Sequence, residues 1–189
     1  MKAFLIPGNG EDLKSRDYQA VLNMYKELGY KPKFVPIDWK YKTIDDWVGQ
    51  VKKQIPASDI KNSLLSGFSF GSMIVLAVAA EVNPKKLLLF SLSTYFAEDF
   101  PKQEKDLKRI GKRRIEKFKN LSFSKTAAKI NCPTLLFVGS KEIKKYKDTD
   151  HRSKKAHQEI SNSKLIVVQG VGHNVSDPKY VEAIKKELV

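Results

Sequence analysis

The fold is decided by residues 64–73, which read LLSGFSFGSM. Gly67, Ser69 and Gly71 alternate here between an apolar lead-in and an apolar stretch that continues to about residue 82. The pattern indicates a buried strand that turns sharply into a buried helix, with glycines two residues to either side of the serine so that a strained backbone can pass. We therefore predict that this turn presents the hydroxyl of Ser69 at the end of a strand.

Short apolar runs alternate with longer amphipathic ones in both directions from this turn. Strands are predicted over residues 2–7, 33–38, 63–66, 86–91, 133–138 and 165–169, and helices over about 11–29, from 43, over 72–82, over 148–160 and from 177. This alternation predicts an α/β fold, a three-layer α/β/α sandwich with a six-stranded, mostly parallel sheet. Ligands of such sheets bind at the carboxyl ends of the strands.

Length and composition limit the possible classes of protein. The 189 residues suit one globular domain, residues 1–189, with a sizeable core. Cys132 is the single cysteine, which excludes an intramolecular disulfide framework and predicts a reducing, cytoplasmic location. The longest apolar run, residues 73–80, is far below the roughly 20 residues that span a bilayer, and the N-terminal run is too short for a signal peptide. No membrane partner is expected.

The net charge of +14 meets the electrostatic condition for nucleic-acid binding. The excess is mostly lysine and is spread along the chain, without zinc-finger spacing, an RNP-type strand or a basic region with heptads. We interpret it as solvated surface, and nucleic acid is not the expected partner. The charge is densest over residues 102–119, with nine basic and three acidic residues. This part belongs to an irregular segment, 94–130, which we predict to be helical and cap-like.

A serine becomes a strong nucleophile only when a base takes its proton. Of the three histidines, His151 and His157 fall on an amphipathic helix and are interpreted as surface residues. His173 follows an apolar strand through Gly170-Val171-Gly172, so a loop at the carboxyl end of that strand carries it. We therefore predict that His173 is the base for Ser69.

A carboxylate that orients the base is expected between the nucleophile and the base in chain order. Glu142 is the first acidic residue after the fifth predicted strand and is the main candidate. Asp148 is the second candidate, although capping of the next helix would also explain it. Glu98 and Asp99, which follow the fourth strand, are more remote candidates.

Two backbone N–H groups are needed to stabilise an oxyanion. One is expected from Phe70, the residue after the nucleophile, and the other from Asn9, in the loop after the first strand. The letters GNG in that loop could also begin a dinucleotide-binding fingerprint. However, Leu13 stands where glycine or alanine is required, and two acidic residues would face the pyrophosphate. Neither a cofactor nor a metal is expected.

The order and spacing of Ser69, Glu142 and His173 resemble the α/β-hydrolase fold. The segments IPGNGEDL, INCPTLLFVGSKE and GVGHN resemble the small serine hydrolases typified by the retinoblastoma-binding protein 9 and its bacterial relatives. The resemblance covers the chain end to end except for about 94–130. It implies a nucleophile, an acid and a base at the three positions above, with amides from Asn9 and Phe70. The family usually has aspartate at the acid position and histidine directly before the nucleophile, where this chain has phenylalanine.

The expected function is cleavage of a small carboxylic ester or thioester through an acyl-serine intermediate, in a minimal α/β-hydrolase fold. Amide hydrolysis is less expected, because nothing in the sequence suggests a peptide groove. A fold alone does not determine function. The alternative is therefore a catalytically silent binding module of the same fold, whose basic surface binds an acidic partner. The sequence predicts neither the acyl chain length nor an oligomeric state.

Overall fold

The computed structural model describes residues 1–15, 18–102 and 110–189. The strands in this part of the chain are β1 (Lys2–Ile6), β2 (Lys31–Phe34), β3 (Ser63–Phe68), β4 (Lys86–Phe90), β5 (Thr134–Gly139) and β6 (Ser163–Val168). They form one sheet in the order β2-β1-β3-β4-β5-β6, and each of these pairings is parallel. The predicted six-stranded sheet is thereby confirmed, and within the described residues it is wholly parallel.

Helices cover both faces of the sheet. They are α1 (Tyr18–Glu27), α2 (Ile44–Gln54), α3 (Ala57–Lys61), α4 (Phe70–Val82), α5 (Lys112–Lys119), α6 (Phe123–Ala127), α7 (Ser140–Lys145), α8 (Lys147–Glu159) and α9 (Pro178–Leu188), with a 3₁₀ helix over Ala97–Lys102. The apolar sides of α1 and α9 pack into one buried cluster, and those of α2, α4 and α8 pack into a second. These two cores, separated by the sheet, make the predicted three-layer sandwich.

The most apolar elements lie at the centre of the fold. Every residue of β3 is buried, because β1 and β4 flank it and helices cover both of its faces. Nearly every residue of α4 from Phe70 to Ala79 is buried as well. A helix without a polar side needs such a position. The segment that the sequence singled out is therefore the central strand and the helix that follows it.

Two element boundaries differ from the prediction by more than two residues. The second strand is Lys31–Phe34 and not 33–38, because its neighbour in the sheet, β1, ends at Ile6, and the N–H of Val35 already donates to Leu5 close to that end, at 3.0 Å. Pro32 is tolerated because β2 is an edge strand. The first helix does not begin at residue 11. The side chain of Asp12 accepts hydrogen bonds from the N–H groups of Lys14 and Ser15, both at 2.8 Å, so this stretch forms a turn.

The basic segment is helical where it is described, although residues 103–109 lie outside the described part of the chain. Arg114 of α5 attaches the segment to the loop before α2. Its Nε donates to the carbonyl oxygen of Lys42 at 2.9 Å, and its guanidinium lies 5.1 Å from the ring of Trp47. Whether this segment acts as a cap remains a prediction.

Candidate active site

Ser69 lies on a strained turn between β3 and α4. Its φ of 56° and ψ of −115° place it in a region that costs a non-glycine residue about 1–3 kcal/mol. Its N–H donates to the carbonyl oxygen of Phe90 in β4 at 2.8 Å. A Cβ atom on Gly67 would lie 2.3 Å from the carbonyl oxygen of Gly71. Glycine is therefore required at position 67 by the close approach of the two backbones, as the G-x-S-x-G pattern indicates.

The loop after β1 runs directly against this turn. A Cβ atom on Gly71 would lie 2.4 Å from the carbonyl oxygen of Ile6, and one on Gly8 would lie 3.2 Å from the ring of Phe68. Asn9 follows in this loop. Phe70 is the first residue of α4, where a backbone N–H has no acceptor within the helix. The order of the strands in the sheet reverses between β1 and β3. At such a point α/β sheets bind ligands, in the crevice at the carboxyl ends of the strands.

His173 and Glu142 are in direct contact at the neighbouring strand ends. The Nδ1 atom of His173 lies 2.8 Å from Oε1 of Glu142, whose side chain is only 2% exposed. A Cβ atom on Gly139 would lie 2.4 Å from the carbonyl oxygen of Val171, so glycine lets the histidine loop approach the end of β5. The N–H of Lys141 donates to the same carbonyl at 2.9 Å. The segments that carry the predicted acid and the predicted base are thus hydrogen-bonded to each other.

The second oxygen of Glu142 accepts a hydrogen bond from the hydroxyl of Ser91 at 2.7 Å. Ser91 directly follows β4, has a φ of 49°, and lies 3.3 Å from the hydroxyl of Tyr180. Burial raises the pKa of Tyr180 well above its ordinary value, so this hydroxyl stays protonated and donates to the carbonyl oxygen of Phe137 at 2.9 Å. Sequence reasoning missed both residues. The place of Ser91 at a strand end was a usable signal, whereas Tyr180 in α9 carries none.

A cavity of about 320 Å³ has both Ser69 and His173 in its wall. The hydroxyl oxygen of Ser69 lies 3.2 Å from that of Ser93 in the same wall. The rest of the wall combines hydroxyl, aromatic and acidic residues: Phe70, Ser91, Leu92, Thr94, Tyr95, Glu142, Tyr146, Asp148 and Thr149. No lysine or arginine from the described ranges lines it. The nucleophile and the base that the sequence predicted therefore share one small cavity.

The other candidate acids have different surroundings. Asp148 lies in the cavity wall, in the first turn of α8, but Glu142 is the carboxylate bonded to His173. Glu98 accepts hydrogen bonds from Ser122 Oγ at 2.7 Å and from the N–H of Phe123 at 2.9 Å, at the start of α6. These bonds outweigh the effect of burial and lower the pKa of Glu98 to about 2. Asp99 forms an ion pair with a buried arginine of α8.

The remaining titratable residues that the sequence analysis weighed lie outside the cavity wall. His151 is exposed on α8, and Nδ1 of His157 lies 3.0 Å from the hydroxyl oxygen of Ser163. Cys132 is buried, and burial raises the pKa of its thiol. Across residues 1–15, 18–102 and 110–189, no group of three His, Cys, Asp or Glu side chains could hold a metal ion. Over the same ranges, no helix has the length and apolar character needed to cross a membrane.

Aromatic rings surround the site on two sides. The ring of Phe68, the residue directly before Ser69, lies 4.6 Å from that of His173. On the other side, Phe118 of α5 lies 5.7 Å from Phe70 and 5.8 Å from Tyr95. The basic segment thus contributes an aromatic residue next to the cavity. Its residues 110–114 line a separate cavity of about 290 Å³ beside Tyr41.

Comparisons with known proteins bear on the fold. No family model and no curated protein matches the sequence. Est1E from Butyrivibrio proteoclasticus with ferulic acid bound is similar at a TM-score of 0.82 and 14% identity, over 100% of this chain and 86% of that chain. Alpha/beta hydrolase domain-containing protein 10 from mouse is similar at a TM-score of 0.72 and 15% identity, over 99% and 87%. A lipase-esterase related protein from Clostridium acetobutylicum is similar at a TM-score of 0.68 and 19% identity, over 99% and 93%. From these similarities along the full chain we conclude that this protein has the α/β-hydrolase fold.

Proposed function

We propose that this protein is a serine hydrolase that cleaves a small carboxylic ester or thioester through an acyl-serine intermediate. The observation that carries the proposal is that Ser69, on its strained turn, shares one cavity with a His173–Glu142 pair in contact at 2.8 Å. The names of two similar structures, a lipase-esterase related protein and an alpha/beta hydrolase domain-containing protein, agree with hydrolysis. The single cysteine favours the cytoplasm as the place of action.

The reaction begins when Ser69 Oγ attacks the carbonyl carbon of the substrate and His173 accepts the hydroxyl proton on Nε2, because Nδ1 faces Glu142. The tetrahedral intermediate collapses, the bond to the leaving alcohol or thiol breaks, and the imidazolium returns the proton to that group. Water then attacks the acyl-serine, with His173 again accepting a proton. Collapse of the second intermediate releases the carboxylic acid and restores the serine hydroxyl.

Two backbone amides stabilise the oxyanion that forms at each attack. We assign them to Asn9 and Phe70, on the two segments that meet where Gly71 packs against the end of β1. One such donor contributes about 3 kcal/mol to transition-state stabilisation. Glu142 holds the imidazole in the tautomer with its proton on Nδ1 and stabilises the imidazolium. Ser91 in turn fixes the carboxylate through its hydrogen bond to Oε2.

The cavity favours a small substrate. Its volume of about 320 Å³ is at the lower end of the roughly 300–1,000 Å³ typical of ligand sites. Hydroxyl groups from serine and threonine lie in its wall, next to the rings of Phe70 and Tyr95. A short acyl group fits this space better than a long aliphatic chain. None of the proposed steps uses a cofactor or a metal.

A fluorophosphonate probe tests the nucleophile, because it phosphonylates a serine only where the base activates it. The wild-type protein should be labelled, Ser69→Ala should not, and Ser93→Ala should still be labelled although its hydroxyl lies 3.2 Å from that of Ser69. Ester hydrolysis by Ser69→Ala should fall about 10³-fold or more. An unlabelled wild-type protein would contradict the proposal and favour the silent binding module.

A matched pair of variants tests the acid, because Glu142 and Asp148 line the same cavity. Glu142→Gln should lower kcat by about 10²-fold or more, since it removes the charge that stabilises the imidazolium. Asp148→Asn should leave kcat near the wild-type value. If Asp148→Asn is the damaging change, the serine mechanism stands but the acid is assigned wrongly.

A further inference from the structure

A buried tyrosine holds the loop that follows β1. Tyr18, which is 0% exposed at the start of α1, accepts a hydrogen bond from the N–H of Gly8 at 2.9 Å and donates one to the carboxylate of Glu11. The N–H of Glu11 donates to the carbonyl oxygen of Gly8 at 3.1 Å and closes the turn. A tyrosine hydroxyl has one proton to donate. With that proton directed to Glu11, a lone pair is directed to the Gly8 N–H.

We call the two hydrogen bonds of the Tyr18 hydroxyl, to the Gly8 N–H and to Glu11, the brace. Asn9 lies in the turn that the brace holds. The Gly8 N–H is already bonded to Tyr18. The next N–H along the loop that could stabilise an oxyanion is therefore that of Asn9. Gly8 and Gly10 flank it, and Gly10 has a φ of 74°. Glycines on both sides would give an unbraced loop many backbone conformations. An oxyanion hole is effective when its donors are fixed before the reaction, so the brace has a specific use at this place.

A second contact ties the same turn to the other amide of the oxyanion hole. The indole Nε1–H of Trp39 donates to the carbonyl oxygen of Glu11 at 3.2 Å. The ring of Trp39 packs 5.0 Å from that of Trp47, which packs 6.1 Å from that of Phe70. A continuous set of contacts therefore joins the turn that contains Asn9 to the residue that supplies the second N–H.

We propose that Tyr18 and Glu11 are positioning residues of the oxyanion hole, which set the place of the Asn9 N–H without touching the substrate. The inference rests on the serine hydrolase function proposed above. It is testable with a small change, because the ring of Tyr18 packs 5.5 Å from Phe34 and 6.4 Å from Phe68, independently of its hydroxyl. Phenylalanine at position 18 keeps these contacts and removes the hydroxyl that bonds to Gly8 and Glu11.

Tyr18→Phe should lower kcat for a neutral activated ester by about tenfold and change KM by less than twofold. Complete loss of an oxyanion donor costs roughly 10²- to 10³-fold, and a displaced donor retains part of its effect. The matched control is Tyr25→Phe. Tyr25 is also 0% exposed on α1, but its ring packs on Tyr30, away from the loop. This control should leave kcat within twofold of the wild-type value.

A trifluoromethyl ketone separates positioning from general stability, because it forms a tetrahedral adduct with the serine whose oxyanion occupies the hole. In Tyr18→Phe its Ki should rise by the same factor by which kcat/KM falls, and in Tyr25→Phe it should not change. Glu11→Ala should reproduce the loss. The double variant Tyr18→Phe/Glu11→Ala should lose little more than either single variant, because both changes break the same brace.

Three outcomes would overturn the inference: an unchanged kcat in Tyr18→Phe, a lower kcat with an unchanged Ki, or an equal loss in Tyr25→Phe. Each is distinguishable from failure of the proposed function. An inactive Ser69→Ala together with a fully active Tyr18→Phe would overturn the positioning role alone. An active Ser69→Ala would overturn the serine mechanism and, with it, the assignment of an oxyanion hole.

Discussion

Asp99 and Arg152 form a buried ion pair that attaches the 3₁₀ helix to α8, and Asp99→Asn breaks it with the smallest change of shape. The Arg152 side chain is 0% exposed and that of Asp99 is 10% exposed. The second carboxylate oxygen of Asp99 accepts a hydrogen bond from the N–H of Phe96 at 3.0 Å. The guanidinium lies 5.0 Å from the ring of Phe96 and 4.4 Å from that of Phe123. The pair therefore anchors the chain directly after Tyr95 of the cavity wall.

The structure sets the size of the effect. Asparagine keeps an acceptor for the Phe96 N–H but removes the charge that compensates Arg152. Two of the guanidinium nitrogens, Nε and Nη1, have no hydrogen-bond partner within the described part of the chain, so few groups there could replace the lost carboxylate. Removal of one partner of a buried pair costs about 3–5 kcal/mol. For a chain of this length, each kcal/mol lowers Tm by about 2–4 °C, so we expect a decrease of roughly 6–20 °C.

Urea unfolding of the wild type and of Asp99→Asn measures this loss, provided that the m-values agree. The control is Glu81→Gln, which breaks the Lys52–Glu81 pair, whose side chains are 46% and 51% exposed, and which should cost less than about 1 kcal/mol. Replacing both buried partners, in Asp99→Leu/Arg152→Met, should recover much of the lost stability. A cost below 1 kcal/mol for Asp99→Asn, or a double variant less stable than Asp99→Asn, would refute the reasoning.

Three further predictions concern the glycines, the acids and the strained serines. Gly71→Ala should lower both Tm and the rate of ester hydrolysis, because its Cβ would lie 2.4 Å from a backbone oxygen at the end of β1. The control Gly49→Ala, in α2, should raise Tm slightly, because a Cβ atom there would meet nothing within 4 Å. Equal effects of the two changes would contradict this prediction. Because the pKa of Glu98 is lowered to about 2, its contribution to stability is present above pH 4.5 and is lost as the pH falls through 2. The free energy of unfolding should therefore fall more steeply between these pH values in the wild type than in Glu98→Gln, and parallel curves would count against it. In urea unfolding, Ser91→Gly should be more stable than Ser91→Ala by about 1 kcal/mol, because glycine tolerates a φ of 49°. Both variants should lose activity, because both remove the hydrogen bond to Glu142. Equal stabilities would argue against strain at this position.

The sheet and the turn at Ser69 could be predicted from the sequence because their signals are local. Uniform burial of β3 and α4 requires uniformly apolar segments, and the close approach of Gly67 to Gly71 requires glycine. Glu142 and His173 could be named because parallel strands bring their carboxyl ends to one edge. Each of these inferences depends on neighbouring residues and on one general property of parallel sheets.

The remaining parts of the site depend on side-chain contacts between distant segments. Ser91 reaches Glu142 across 51 positions, and Tyr180 reaches Phe137 across 43. No periodicity or spacing encodes which hydroxyl meets which acceptor. The start of the first helix failed for a similar reason, since the apolar pattern ignores the hydrogen bonds that Asp12 makes to the backbone. Contacts of this kind became visible only in the folded chain.

The backbone strain in this protein supports a functional site over an inert surface. Ser69 and Ser91, at the ends of the neighbouring strands β3 and β4, have φ values of 56° and 49°. Of the other non-glycine residues with positive φ in the described ranges, Asn83 caps the end of α4, where such a value is ordinary, and Tyr41 is 80% exposed and lies in the loop before α2.

Glycine at either serine position would relieve a strain of about 1–3 kcal/mol. It would also remove a hydroxyl that lines the cavity in the case of Ser69, or that bonds to Glu142 in the case of Ser91. A binding module that used only its basic surface would have no use for either hydroxyl. Strain at these two residues is therefore what we expect if both hydroxyls serve the reaction.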